Sequence, residues 1–424
     1  MKYFFKFFIL MMVVTILCGL FLNQPIKAAD NEELVLMFSA GGSGDTLANS
    51  AKKFEEKTGI KTKVLLYAYG ELNQKQILAL SQKNSIPDVI AINDEMIGVY
   101  EDFLPNLGID QNKLDSLMSY AKDAYERPPQ GSNNFIALPV RNGGNIIIYR
   151  DDILKENNID IKDIVTWEDY LEIAKKLTKP EEKQWAYADG FQLAYVTAEW
   201  INFIYSYNAE ALTSDGKKAA FNTENGIKAT QMYVDLFNEV SPPGSINYGY
   251  GEQVEGLQRG SIVMSILFAS RYLEVNSPKF LHSGKFKVLP NFPYGVNTGL
   301  QNGRPQVSVW GLGLNPYSQN KEAAMKFIEH VASEEEQLRL AVELSNSPTV
   351  KSVYLNPDYL DAIPDAGNIS RALEDGRTRP HIEDWNEVSN IIGLQLQRAL
   401  VGDVTVKEAL ATAEEQVNKI LEEE

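Results

Sequence analysis

Residues 52–95, KKFEEKTGIKTKVLLYAYGELNQKQILALSQKNSIPDVIAINDE, constrain the fold more than any other stretch, because they alternate helix, strand, helix and strand. The first helix stops at Gly59, and Lys61–Leu66 has the β-branched and apolar content of a buried strand. Gln74–Leu80 returns to helical spacing, and Pro87 bars further helix before the strand Asp88–Ile92. Alternation of this kind builds an open α/β sheet, whose ligands bind beyond the carboxyl ends of its strands. Here that end carries two carboxylates, Asp94 and Glu95, which could accept hydrogen bonds from a polyhydroxyl ligand.

The chain opens with MKYFFKFFILMMVVTILCGLF, in which Lys2 and Lys6 precede an apolar run. This is the charged and apolar sequence of a secretory signal peptide, expected to cover residues 1–28 with cleavage after Ala28; a membrane anchor is the other reading. Cys18 is the only cysteine, and Leu17 before it ill suits lipidation, though a lipid anchor there stays open. Removing residues 1–28, with their three lysines and no acids, takes the formal charge from −17 to −20. Nucleic acid and anionic membranes would repel such a chain, so neutral or cationic solutes suit it better. An exported localisation, periplasmic or at the cell surface, follows.

Residues 29–424 exceed what one core usually supports, yet no linker separates two beads. Interleaved lobes fit better. In FIALPVRNGGNIIIYRDDIL, Pro139 suits an extended hinge strand, Asn145–Tyr149 forms a second strand, and Asp151 or Asp152 begins a helix. In VTWEDYLEIAKKL, Thr166 caps a helix, with Asp169 at the third position of a capping box. A helix ends near Gln258, and Asn320 is an N-cap before Lys321-Glu322-Ala323-Ala324.

These segments together resemble the extracellular solute-binding proteins of ABC importers, family 1, the carbohydrate-binding group. The TG-I and P-D-V entries to strands match, as do Ala137, Pro139, Tyr149, Arg150, Asp152 and Ile153 of the hinge segment. Near the C-terminus, Arg379, Pro380, Trp385, Gly402, Thr405, Glu408, Ala409 and Leu410 resemble the trehalose/maltose-binding branch. The resemblance implies a two-lobed periplasmic-binding-protein-like (type II) fold, each lobe a mainly parallel sheet flanked by helices. It places residues 29–138 and 289–340 in the N-terminal lobe, and 139–288 and 341–424 in the C-terminal lobe. It departs from the pattern where Gly143 replaces a common acidic contact. Phe268, Arg271 and Tyr272 stand where relatives often carry a tryptophan platform.

A sugar presents apolar faces ringed by hydroxyls, so aromatic rings and planar polar groups are the side chains to seek. Candidate ligand contacts are Ser43 in the loop after the first strand, Tyr67 and Tyr69 ending the second, Asp94, Glu95, Asn142, Trp200, Tyr248, Arg271, Tyr272 and Trp310, with Tyr250 a further one. Each has a structural alternative. Ser43 lies in a glycine-rich turn where Asp45 could cap a helix, the carboxylates could cap the next helix, Arg271 could form a lobe-internal salt bridge, and Trp310 could simply pack. Trp167, Trp185 and Trp385 are assigned to packing.

The three histidines, His282, His330 and His381, lie far apart without metal-ligand spacing, and neither a nucleophile elbow nor a phosphate loop is present. The expectation is a non-enzymatic, monomeric receptor without cofactor or metal. It captures a saccharide for the membrane permease of an ABC importer. A polyamine, iron or another non-sugar solute on the same fold, or a secreted carbohydrate-active enzyme, are the alternatives.

Overall fold

The computed structural model describes residues 33–127, 131–344 and 346–422. The segment expected to be a signal peptide, its expected cleavage after Ala28, and Cys18 lie outside the described residues. Nine strands form two sheets: β1 Glu33–Ser39, β2 Lys61–Tyr67, β3 Val89–Asn93, β4 Leu138–Asn142, β5 Asn145–Arg150, β6 Trp185–Ala188, β7 Ile262–Phe268, β8 Phe286–Val288 and β9 Val309–Leu314 among the described residues. The first sheet runs β2-β1-β3-β9-β4, and the second β6-β7-β5-β8.

Helices Gly42–Thr58 and Tyr69–Ser81 carry the chain back across the first sheet, so β1, β2 and β3 pair in parallel. The strands flanking the lobe crossings pair antiparallel with their neighbours, β9 with β3 and β4 and β5 with β7 and β8, while β6 and β7 pair in parallel. Both sheets are therefore mixed, where mainly parallel ones were expected.

Local chemistry sets the element ends. Gly59 adopts φ 76° and caps the first helix as the sequence predicts. The Thr166–Asp169 capping box forms, with Thr166 N–H donating to Asp169 at 2.8 Å and Asp169 N–H to Thr166 Oγ1 at 3.1 Å. Asn320 holds its N-cap position without the expected side-chain bond, because its amide instead reaches Asp88 at 3.3 Å. The glycine-rich turn after β1 starts a helix directly on the strand end. A Cβ on Gly44 would stand 1.9 Å from the Ser39 carbonyl oxygen, so only glycine fits. Tyr69 opens its helix rather than ending β2.

The chain first crosses between sheets at Gly143–Gly144, which join β4 to β5. β4 lies in the first sheet with Pro139 opposite Gly311, so the crossing falls beyond the 138/139 boundary read from the sequence. A Cβ on Gly144 would meet Leu373 Cδ2 at 2.5 Å and Val307 Cγ1 at 3.0 Å, so the crossing segments pack backbone against side chain. The return crossing also comes later than expected at 289. Leu289 and Phe292 remain in the second core, whereas Val307 and Val309 belong to the first. The helices Trp385–Leu400 and Val406–Leu421 close over the second core. That core packs Trp167 edge-on against Tyr170 and Phe292 and tilted against Phe203, with ring centroids 5.3, 5.6 and 4.3 Å away. Burying such a side chain stabilises the fold by about 2–3 kcal/mol.

Candidate functional site

The site is built where β3 ends. Antiparallel pairing sets Asn93, the last residue of β3, opposite Trp310 near the start of β9, and Arg141 of β4 lies on the other side of Trp310. A short turn, Asp94–Met96, then carries both carboxylates out of the sheet. Asp94 is fully buried, and its Oδ1 accepts from Val309 N–H at 2.9 Å, Ser308 Oγ at 3.1 Å and Arg379 at 3.4 Å. Arg379 also donates to Asn93 Oδ1 at 2.9 Å and pairs with Glu95. Glu95 takes a second bond from the Tyr69 hydroxyl at 2.5 Å. Trp310, half-buried, meets the Tyr69 ring edge-on at 5.8 Å.

Asp94, Glu95 and Arg379 thus share one network in a largely water-excluded place, with the Arg379 side chain 15% exposed and Glu95 14%. Burial works against the Arg379 charge, but Glu95 and Asp94 outweigh it and hold its pKa above the ordinary value. Burial, reinforced by the Glu95 carboxylate, raises that of Tyr69. His381 lies beside Asp94 and Arg379, and burial lowers its pKa. Among the described residues, Asp94 Oδ2, Arg379 Nε and His381 Nε2 are buried without a hydrogen-bond partner. Buried polar atoms are rarely left so, and these three converge on one place.

The second lobe supplies the other wall, from the end of β7 and the starts of two helices, Leu193–Ser206 and Tyr250–Arg259. Tyr195 and Tyr250 lie 4.4 Å apart, Phe268 meets Tyr250 at 5.1 Å, and the Arg271 guanidinium stands 5.6 Å over the Tyr250 ring. Arg379 acts electrostatically on the Tyr250 phenol, so the two walls face each other closely. Arg141 faces Arg271 across the same space; burial, with Arg271 adding to it, pushes Arg141 down to about 10.

Of the residues singled out in the sequence, Tyr69, Asp94, Glu95 and Trp310 come together, and Arg271 lies on the opposite wall, where it also pairs with Glu274 at 3.0 Å. Tyr67 ends β2 with Lys75 Nζ 4.9 Å over its ring, outside the network. Tyr248 is half-buried against the first core, and its carbonyl accepts from Gln192 N–H at 3.1 Å. The Ser43 side chain lies outside the described residues.

Three candidates are corrected. Trp200 is fully buried, packs on Phe221 and donates to Thr230 Oγ1 at 2.8 Å, because its helix is enclosed along most of its length by the second core. Asn142 is also fully buried. It donates to the Tyr120 hydroxyl at 2.6 Å and accepts from Gly144 N–H at 2.7 Å, which fixes the crossing rather than a ligand. Tyr272 is buried with its hydroxyl on Asp365 at 2.7 Å. Arg379 and Tyr195 were not among the candidates. The Arg379-Pro380 pair was the available signal, an arginine held by proline in an acidic chain.

Among the described residues no group of three or more metal-ligating side chains gathers, and no helix is long and apolar enough to cross a membrane. Two lobes joined by several crossings, with aromatic rings and a carboxylate–guanidinium network between them, define a class of two-lobed binding proteins. Residues 40–338 match the model of the bacterial extracellular solute-binding proteins, and the chain belongs to that family. It is similar to a probable amino-acid ABC transporter periplasmic-binding protein of Sinorhizobium fredii, 21% identical over 93% of this chain and 90% of that one. The arabinooligosaccharide-binding protein of Bacillus subtilis is 22% identical over 63% of each chain. Among solved structures, the maltose-bound MalE3 of T. maritima superposes with a TM-score of 0.78, at 21% identity, over 92% of this chain and 99% of that one. An Agrobacterium radiobacter solute-binding protein in complex with ribitol gives 0.77 at 24% identity, over 93% and 100%.

Proposed function

We propose that this chain is the exported receptor of an ABC importer. In this reading it captures a sugar or oligosaccharide between its lobes and delivers it to a membrane permease, itself catalysing nothing. One observation carries the reading: Tyr69, Glu95, Arg379 and Trp310 converge on one side, and the rings of Tyr195, Tyr250 and Phe268 face them from the other. Flat aromatic faces suit the C–H side of a sugar ring, and planar carboxylate and guanidinium groups suit its hydroxyl rim. A ligand touching both walls favours the closed state, because only that state makes both sets of contacts. The maltose-bound neighbour and the arabinooligosaccharide-binding relative support this class of cargo. Export with cleavage after Ala28 and action as a monomer belong to the same reading.

A thermal-shift screen against saccharides, polyols, amino acids, polyamines and ferric citrate tests it. A ligand that binds only the folded state adds about 2.7 kcal/mol of stability at a hundredfold excess over Kd. A saccharide or polyol should raise Tm. A shift with amino acids alone would side with the Sinorhizobium relative and overturn the sugar reading. With the cargo in hand, Trp310→Ala should weaken binding roughly tenfold, about 1.4 kcal/mol, while the circular dichroism stays that of a folded protein. Unchanged affinity by calorimetry would remove Trp310 from the site.

A further inference from the structure

Behind the second wall lie two carboxyl groups that the binding reading leaves unused. Asp189 follows β6, and Glu199 sits on the helix Leu193–Ser206; they are 0% and 1% exposed. Asp189 accepts from the Tyr187 hydroxyl at 2.5 Å, Gly190 N–H at 2.9 Å and Gln253 Nε2 at 3.2 Å. Glu199 lies between Asp189 and Tyr250: a Cβ on Gly190, whose N–H bonds Asp189, would stand 3.6 Å from Glu199 Cγ and 3.4 Å from Tyr250 Cε1. Glu199 Oε2 also accepts from Asn202 Nδ2 at 3.4 Å, so the Glu199 carboxyl is placed to bond Asp189 on one side and the Tyr250 phenol on the other. Neither carboxyl has a salt bridge among the described residues. The titratable groups facing the pair are phenols: Tyr187 on β6, Tyr170 on the helix Trp167–Leu177, Tyr233 on Glu224–Val240 and Tyr250 on Tyr250–Arg259. The charges beyond them are Arg379, which acts on Tyr250, and Arg271 over its ring.

Ionised carboxylates only accept hydrogen bonds, so two that bond to each other must hold a proton between them. The Tyr195–Tyr250 platform depends on that arrangement, because its rings rest on bare backbone. A Cβ on Gly249 would come within 2.9 Å of Tyr195 Cε2, and one on Gly190 within 3.4 Å of Tyr250 Cε1. Backbone contact limits how close the rings sit, and the Glu199–phenol bond fixes where Tyr250 points.

We propose that Glu199 is a positioning residue of the cleft: it remains protonated at neutral pH, donates that proton to Asp189, and accepts the Tyr250 phenol so as to hold the aromatic platform. Loss of the proton to solvent leaves two adjacent buried carboxylates, whose repulsion releases the platform. Burial pushes both acids in the required direction, Asp189 to about 6 and Glu199 well above its ordinary value. The inference rests on the cleft reading only in assigning Tyr250 to a binding wall, and its test uses no ligand.

The test is infrared spectroscopy of the protein at pH 7, with near-ultraviolet circular dichroism followed from there to about pH 9, below the range in which exposed phenols ionise. The carbonyl stretch of a protonated carboxylic acid should be present and should weaken in Glu199→Gln. The tyrosine dichroism should change in a one-proton step in the wild type and stay flat in Glu199→Gln, whose amide still donates to Asp189 and accepts from Tyr250. Asp189→Asn should move the step to lower pH by removing the charge that holds the proton. A wild-type spectrum without the acid band, or a band undiminished in Glu199→Gln, overturns the proposal. Should the glutamine variant not fold, the wild-type titration decides alone, since a band that disappears at a different pH from the dichroism change also overturns it.

Discussion

Arg379→Ala is expected to lower stability by about 3 kcal/mol and to abolish ligand binding together. The residue stands between Asp94, which is fully buried, and Glu95, which is 14% exposed. Removing it strands two carboxylates where water enters poorly. Desolvation and Coulomb terms in such a network nearly cancel while it is intact, so its net contribution is small; the large loss comes from breaking it on one side. Arg379→Lys keeps the charge but cannot reach Asn93, Asp94 and Glu95 at once with a planar fork, and should lie between wild type and alanine. The combined variant Asp94→Asn, Glu95→Gln, Arg379→Met should regain most of the stability without regaining binding. Urea unfolding with an unchanged m-value, alongside calorimetry with the cargo found by thermal shift, separates the two effects. An alanine variant as stable as wild type would show that water reaches the carboxylates and that the network is not sealed.

The site's first half was legible because it is local. A buried strand ending in two acids is a sequence pattern, and β3 delivers Asp94 and Glu95 where the pattern puts them. Its second half is not local: Arg379 reaches Asp94 across 285 residues of chain, and no spacing rule connects them. The aromatic candidates divided for a different reason. Trp200 and Trp310 are chemically identical side chains, and only the surroundings of their elements decide that one is enclosed by helices while the other borders the cleft. Asn142 and Tyr272 looked free to meet a ligand because their partners, Tyr120 and Asp365, are remote in sequence. Element boundaries fared better where capping chemistry sets them, as at Gly59 and Thr166, and worse at the lobe crossings. There, tertiary packing around Gly143–Gly144 and Val307 decides which sheet a residue joins.

Above pH 7 the protein is expected to lose stability with a slope approaching about 1.4 kcal/mol per pH unit, the value for one proton held by the folded chain and released by the unfolded one. Glu199 is the source. Unfolded, it ionises near pH 4.3; folded, burial and the Asp189 charge raise its pKa well above that. A raised folded pKa means that the folded state binds more protons, so the contribution is fully present below the unfolded value and lost as pH rises through the folded one. Asp189 acts in the same sense but earlier, around its folded value of about 6. Two other sets of groups oppose them at lower pH. The histidines His282, His330 and His381 are lowered by burial, so stability is gained as pH rises through their unfolded value near 6.5. Asp152, lowered first by its bond from Arg150, stabilises above its unfolded pKa and loses that contribution only on acidification. By pH 7 these have largely finished titrating, and the proton that Glu199 is proposed to hold sets the slope above it. Denaturant unfolding at several pH values between 7 and 8.5 should therefore give a falling stability in the wild type. In Glu199→Gln the line should be nearly level, crossing above the wild type at the alkaline end. Parallel slopes in the two proteins would mean that the folded chain carries no proton on Glu199, and that some other group sets its alkaline limit.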